Sequence, residues 1–205
     1  IGIPTDEPFD FLIDCATSIT QNGKIEYYER IKKDVLPGTI IGLDGEPVEG
    51  DAGAALKMIR NGTAALTTLG GIGEALGGYK GYGYAMAIEL LSAALQDGNY
   101  GKALDGKDAD GNKVPYHLGH FFIAIDTDHF LGEDVCRKKA GEIIRTVRAS
   151  KKAPGAERIY TAGEKEYLVR LARKDGVPIN ESVQKEMVQI RDELKLTQYK
   201  FPWED

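Results

Sequence analysis

The feature that most constrains this chain is a glycine-dense run, LGGIGEALGGYKGYG. Seven of the fourteen residues from Gly70 to Gly83 are glycine, and Lys80 stands among them. Glycine lacks a Cβ, so such a run permits left-handed turns and close backbone approach that other residues resist. Two readings are open on these residues alone. The run can cradle an anion, with backbone N–H groups turned inward, a helix N-terminus following at about Tyr82, and Lys80 as a point charge. Or it can be a tight helix crossing in which glycine only lets backbones approach.

Known phosphate loops do not match. A P-loop requires Gly-Lys followed by Ser or Thr, whereas Lys80 lies between Tyr79 and Gly81. A dinucleotide fingerprint would place a third glycine where Leu76 follows Gly71 and Gly73. Any nucleotide site here is therefore not of the Rossmann type.

Around this run, apolar patterning predicts alternating strands and helices, hence an α/β fold. Phe9 to Cys15 reads as a buried strand, and Phe121 to Asp126 as a second, apolar on both faces like a central strand. Ile159 to Thr161 is a brief third strand. Helices are expected over Gly23 to Lys33, Ala54 to Arg60, Tyr82 to Leu95, Glu133 to Ser150, and Gly163 to Lys174. The Tyr82–Leu95 segment is almost uncharged and is expected to be buried on most sides. In Glu133–Ser150 the core side is Val135, Ile143, Ile144 and Val147. Asn180 is a good N-cap for a last helix carrying Val183, Met187, Ile190 and Leu194. Residues 99 to 119 read as a surface loop without a catalytic signature.

Charge narrows the partners. The chain of 205 residues has a net charge of −6. No basic surplus exists to neutralise nucleic acid phosphates. The basic residues Arg137-Lys-Lys and Arg145 to Lys152 read as a solvated helix face. No segment approaches the length of a membrane span. Cys15 and Cys136 are the only cysteines. They fit buried or half-buried thiols in a reducing cytoplasm, and Cys15 lacks a neighbouring base that would make it a nucleophile.

Four stretches, FLIDCATSITQNGKIEYYER, LGGYKGYGYAMAIELLSAAL, GHFFIAIDTDHF and APGAERIYTAGE, together resemble the type-2 malate/L-lactate dehydrogenases. That family includes L-sulfolactate, ureidoglycolate and diketogulonate oxidoreductases. The segments occur in the family's order and cover nearly the whole chain. The resemblance implies a layered mixed sheet flanked by helices, a non-Rossmann dinucleotide fold of the L-sulfolactate dehydrogenase-like type. It implies NAD or NADP as cofactor, a small 2-oxo or 2-hydroxy acid as substrate, hydride transfer as the reaction, and a homodimer. It also assigns cofactor contacts: Asp14, Cys15 and Ala16 at a strand end, Tyr79 and Lys80 in the glycine run, and Gly163, Glu164 and Lys165 at a turn.

Two departures matter. Ala162 stands where proline usually precedes the turn glycine, a change expected to leave the backbone in place. The family's catalytic histidine lies in an N-terminal Ser-His-Gly setting, and that tripeptide does not occur here. Residues 1–205 are thus expected to be the cofactor-binding and C-terminal portion of a longer enzyme, with no catalytic residue of their own. The rest would be supplied by a separate N-terminal chain of the same protein, or the chain would be a catalytically silent nucleotide-binding or assembly fragment. His117 and His120 lack the further ligands that a metal would need. His120, placed where the second buried strand begins, is the expected substrate contact, since ligands favour strand ends in α/β sheets.

Overall fold

A computed structural model describes residues 1–204, which divide into two compact units. One unit is residues 14–125. The other joins residues 1–13 to residues 126 onward.

The 14–125 unit is built on two helices and two short ladders. Helix α1, Asn22–Arg30, and helix α2, Ala52–Arg60, lie near the expected positions. Strands β3 (Asp34–Val35) and β5 (Gly50–Asp51) pair antiparallel, as do β4 (Ile40–Gly42) and β6 (Ala64–Leu66). The Asp51 carboxylate accepts a hydrogen bond from the Ala54 N–H at 2.7 Å, which caps α2. Ile25, Val35, Ile40, Ala52, Ala55, Leu56 and Ala64 form the core, with Tyr28, Val48 and Leu66 against it. Helix α3, Gly78–Glu89, continues as a π-helical segment, Leu90–Ala94.

The other unit begins with a hairpin, β1 (Gly2–Ile3) against β2 (Phe11–Leu12). Helices α4 (Glu133–Arg148), α5 (Glu164–Ala172) and α6 (Glu181–Glu193) follow. The Asn180 side chain accepts from the Val183 N–H at 3.0 Å, so the expected cap is present. The α/β class is the one observed, its sheet content divided among three antiparallel two-stranded ladders.

Several expectations need correction. Phe121–Asp126 forms no strand, and Phe122, Ile123 and Ile125 are exposed, Phe122 at 87%. Ile159–Thr161 is likewise not a strand, and the Phe9–Cys15 strand shrinks to β2 with Leu12 and Ile13 exposed. Helix α3 begins at Gly78 rather than Tyr82. Its Tyr82, Tyr84 and Ile88, and Leu90 in the π-helical segment that follows, are exposed instead of buried. On α4 only Ile144 of the expected core side is buried. The exposed apolar residues share one cause. An apolar run marks a surface that needs cover, but covering atoms must come from somewhere. Two separate globules of half this mass would expose about 11,000 Å² together, whereas this chain exposes 15802 Å². The 205 residues do not themselves bury what their pattern says should be buried. No helix among the described residues is long and apolar enough to cross a membrane.

Candidate cofactor site

The glycine run folds back on the start of α3. A Cβ on Gly81 would overlap the Leu69 carbonyl, and one on Gly78 would overlap the Gly71 and Gly73 carbonyls. Close backbone packing therefore accounts for these two glycines, and only glycine permits it. The same folding leaves a cavity of about 370 Å³ beside the loop. Gly71, Gly73, Glu74, Gly78, Tyr79 and Tyr82 are among the residues that line it. The close-approach reading of the run is thus the one observed at Gly78 and Gly81, and Gly71, Gly73 and Gly78 also line the cavity.

Lys80 is exposed and lies in the first turn of α3, not in the loop before it. Its ammonium sits 5.7 Å from the centre of the Tyr79 ring, a cation–π distance. Tyr79 lines the cavity and Lys80 does not. Two residues that sequence reasoning passed over, Glu74 and Tyr82, do. No fingerprint singles out a lone acid in such a loop; only its placement reveals it.

Asp14, Cys15 and Ala16 are exposed and follow β2 without regular structure. They lead directly into the ladder that carries the glycine run. Thr17 accepts from the Leu69 N–H at 3.1 Å, Ile19 donates to the Thr67 carbonyl at 2.9 Å, and Ser18 bridges Thr68. Backbone pairing therefore ties this segment to the loop within one unit. His120 lies in an exposed segment with no strand, so the strand-end argument for it loses its premise. Its ring stacks on Phe122 at 6.1 Å, and its carbonyl accepts from Gln96. Cys15 and Cys136 are free thiols; Cys136 is half-buried as expected, whereas Cys15 is exposed.

In the other unit, Gly163 caps α5 with φ +88°. An added Cβ would stand 2.8 Å from the Asp10 carbonyl and 3.2 Å from the Leu12 nitrogen. Left-handed backbone and close approach both demand glycine here. The Leu12 N–H donates to the Ala162 carbonyl at 3.2 Å. A proline at that position would keep the same acceptor, so the departure from the family pattern leaves this bond intact. Beside the turn is a cavity of about 630 Å³, lined in part by Phe9, Asp10, Gly163, Tyr167 and Arg170.

Glu164 is fully buried. Its carboxylate pairs closely with Arg158, lies 3.6 Å from Arg148, and accepts from the Thr161 N–H at 3.1 Å. The side chain is thus occupied within the protein, and what this turn can offer a ligand is backbone and Lys165. The Lys165 ammonium and the Arg158 guanidinium stand 5.0 and 5.3 Å from the centre of the Tyr160 ring. On the helix face expected to be solvated, Arg145 is exposed and binds Asp6 and Glu7, while Arg148 is half-buried and binds Glu7. These guanidiniums hold the Glu7 carboxyl below the usual range, Arg148 first and Arg145 second. Asp6 is lowered mainly by its hydrogen bond from Arg145.

Residues 1–188 match the family model for malate/L-lactate dehydrogenase. The chain belongs to this family. It is 37% identical over 192 residues to a malate dehydrogenase of Pyrococcus horikoshii, covering 93% of this chain and 50% of that protein. An L-sulfolactate dehydrogenase of Methanocaldococcus jannaschii is 32% identical over 191 residues, with 92% and 49% covered. Among solved structures, a malate dehydrogenase from Entamoeba histolytica superposes with a TM-score of 0.86 at 35% identity, covering 98% of this chain and 55% of that one. The family and the non-Rossmann fold expected from the four stretches are thus the ones found. The chain spans about half the length of the curated relatives it matches.

Proposed function

We propose that this chain is the cofactor-binding portion of an NAD(P)-dependent oxidoreductase that interconverts a 2-hydroxy acid and a 2-oxo acid by hydride transfer. The observation that carries the reading is the glycine-run cavity within a chain of this family. A malate-type substrate is favoured over sulfolactate because the malate relative is the more similar of the two compared.

The residues fit a dinucleotide. A cavity of about 370 Å³ with backbone on one wall and tyrosine on another suits a flat ring and a ribose. Glu74 on its lining would repel a phosphate and accept hydrogen bonds from hydroxyls, so the cavity suits a ribose end. The exposed Lys80 would meet a charged or polar group of the cofactor. Asp14, Cys15 and Ala16 would contribute through the segment paired to the loop. The family resemblance adds Gly163, Glu164 through its backbone, and Lys165 as proposed contacts. The nicotinamide would supply the hydride to C2 of the oxo acid. A histidine outside these residues would donate the proton to the forming alkoxide. His120 is retained as a substrate contact to be tested. The enzyme would be a cytoplasmic homodimer.

Lys80→Ala should raise the NADH or NADPH dissociation constant by the loss of a charged hydrogen bond, about 1–3 kcal/mol, on the order of 5- to 150-fold. An unchanged constant would remove Lys80 from the site. The rival reading is a silent nucleotide-binding fragment. It is separated by turnover, because a dinucleotide titration alone would be positive for both. Intact masses under denaturing conditions, measured with the turnover assay, show whether an N-terminal chain accompanies any activity.

A further inference from the structure

Beside Gly163 lies an ion network with a buried centre, Glu164, Glu7 and Arg148, and more exposed ends at Asp6, Arg145 and Arg158. Three carboxylates, Asp6, Glu7 and Glu164, meet three guanidiniums, Arg145, Arg148 and Arg158. The charges balance, which offsets the cost of taking them out of water. The order of contacts is directional. Arg145 donates to Asp6 at 2.8 Å and to Glu7 at 2.7 Å. Arg148 joins Glu7 to Glu164, with one guanidinium nitrogen on each. Glu164 then takes the Thr161 N–H on its other oxygen. The network therefore runs from the β1–β2 connection, across α4, and ends on the backbone of the turn that leads into α5. Gly141 on α4 makes room for it, since a Cβ there would overlap the Asp6 carboxylate.

We propose that Arg148 and Arg158 are positioning residues: acting through buried Glu164, they set the Thr161–Lys165 turn in the conformation that receives the dinucleotide. This rests on the cofactor reading above, in which Gly163 to Lys165 contact the nucleotide. Glu164 itself is enclosed, so its acidity serves the turn rather than a ligand. A turn whose shape is fixed before binding loses less conformational freedom on binding, and affinity improves accordingly. Arginine is needed at position 148 because two separate carboxylates are reached from one planar fork. The single ammonium of lysine cannot span both.

The test compares Arg148→Lys, Arg158→Lys and Asp6→Asn in the purified protein, each well below its melting temperature. Arg158 is half exposed, which keeps one variant foldable if Arg148→Lys is not. NADH and NADPH dissociation constants are measured alongside amide exchange of residues 158–166. The expected result is a fivefold or greater loss of affinity for Arg148→Lys and a smaller loss for Arg158→Lys. Both should show faster exchange in 158–166. Asp6→Asn, at the far end of the network, should lower the melting temperature yet change affinity less than twofold. Wild-type affinity in both folded arginine variants would overturn the proposal. So would an Asp6→Asn loss as large as that of Arg148→Lys, because affinity would then track stability alone. Failure of wild-type protein to bind either dinucleotide while 158–166 stays protected would instead overturn the cofactor reading, and with it this role for the network.

Discussion

The two units are held together by opposite means. In the 14–125 unit the buried centre is aliphatic, with Ile40 and Leu56 enclosed among alanines and valine. In the other unit the largest fully buried side chain is a carboxylate, Glu164, surrounded by arginines. Aliphatic packing stabilises by removing area from water and is indifferent to pH. A balanced ion network is less a source of stability than of geometry, because desolvation offsets much of its attraction. The difference is that one unit centres on pH-indifferent aliphatic packing and the other on an ion network around Glu164, whose strength depends on charge.

The largest effect should come from unbalancing the network. Arg148→Met leaves Glu7 and Glu164 short of a partner, and breaking a buried pair from one side costs about 3–5 kcal/mol. Urea denaturation followed by exchange within 126–204 would read it. An effect below about 1 kcal/mol, the scale of surface pairs, would place the network in solvent rather than in a core. Leu56→Ala should cost about 2–5 kcal/mol through lost burial and a residual cavity, with the loss confined to residues 14–125.

Acid should separate the units more gently. Asp6 and Glu7 have carboxyls lowered in the folded protein. The unfolded chain therefore binds their protons more readily than the folded one. Their contribution is complete above the ordinary carboxylate range, begins to fall near about pH 5, and is lost as pH drops through the lowered folded values. Exchange protection of residues 126–204 should decline in that window before that of residues 14–125. Loss in the reverse order would contradict the contrast. The smallest effect expected is Asn180→Ala. Removing this N-cap should cost roughly 1 kcal/mol, seen as fraying of α6 with both centres intact.

What the sequence revealed follows the same division. Helices α1 and α2 were legible because Ile25 and Leu56 bury against partners a few dozen residues away, so local periodicity and the final packing agree. The Asn180 cap was legible because its bond spans three residues. The glycine run announced a close backbone approach, though not which glycines close the loop and which face the cavity. The network was not legible. Arg148 and Glu7 are separated by 141 positions, and a basic helix face looks the same whether it meets water or distant acids. Phe121–Asp126 misled for a related reason: an apolar run states what needs burying, while the structure offers it no ladder partner among the described residues. Glu164 was assigned to the site through the family resemblance. Its side chain faces inward, paired within the protein, so only the backbone is left to serve a ligand.

The most direct test of the central claim is a calorimetric titration of the purified protein with NADH and, separately, NADPH, repeated on Lys80→Ala. The account predicts saturable binding of at least one dinucleotide, weakened on the order of fivefold or more by the substitution, as expected for a lost bond to a charged group. Heat of dilution alone for both dinucleotides in the wild-type protein would contradict it, and the glycine run would then be a packing device only.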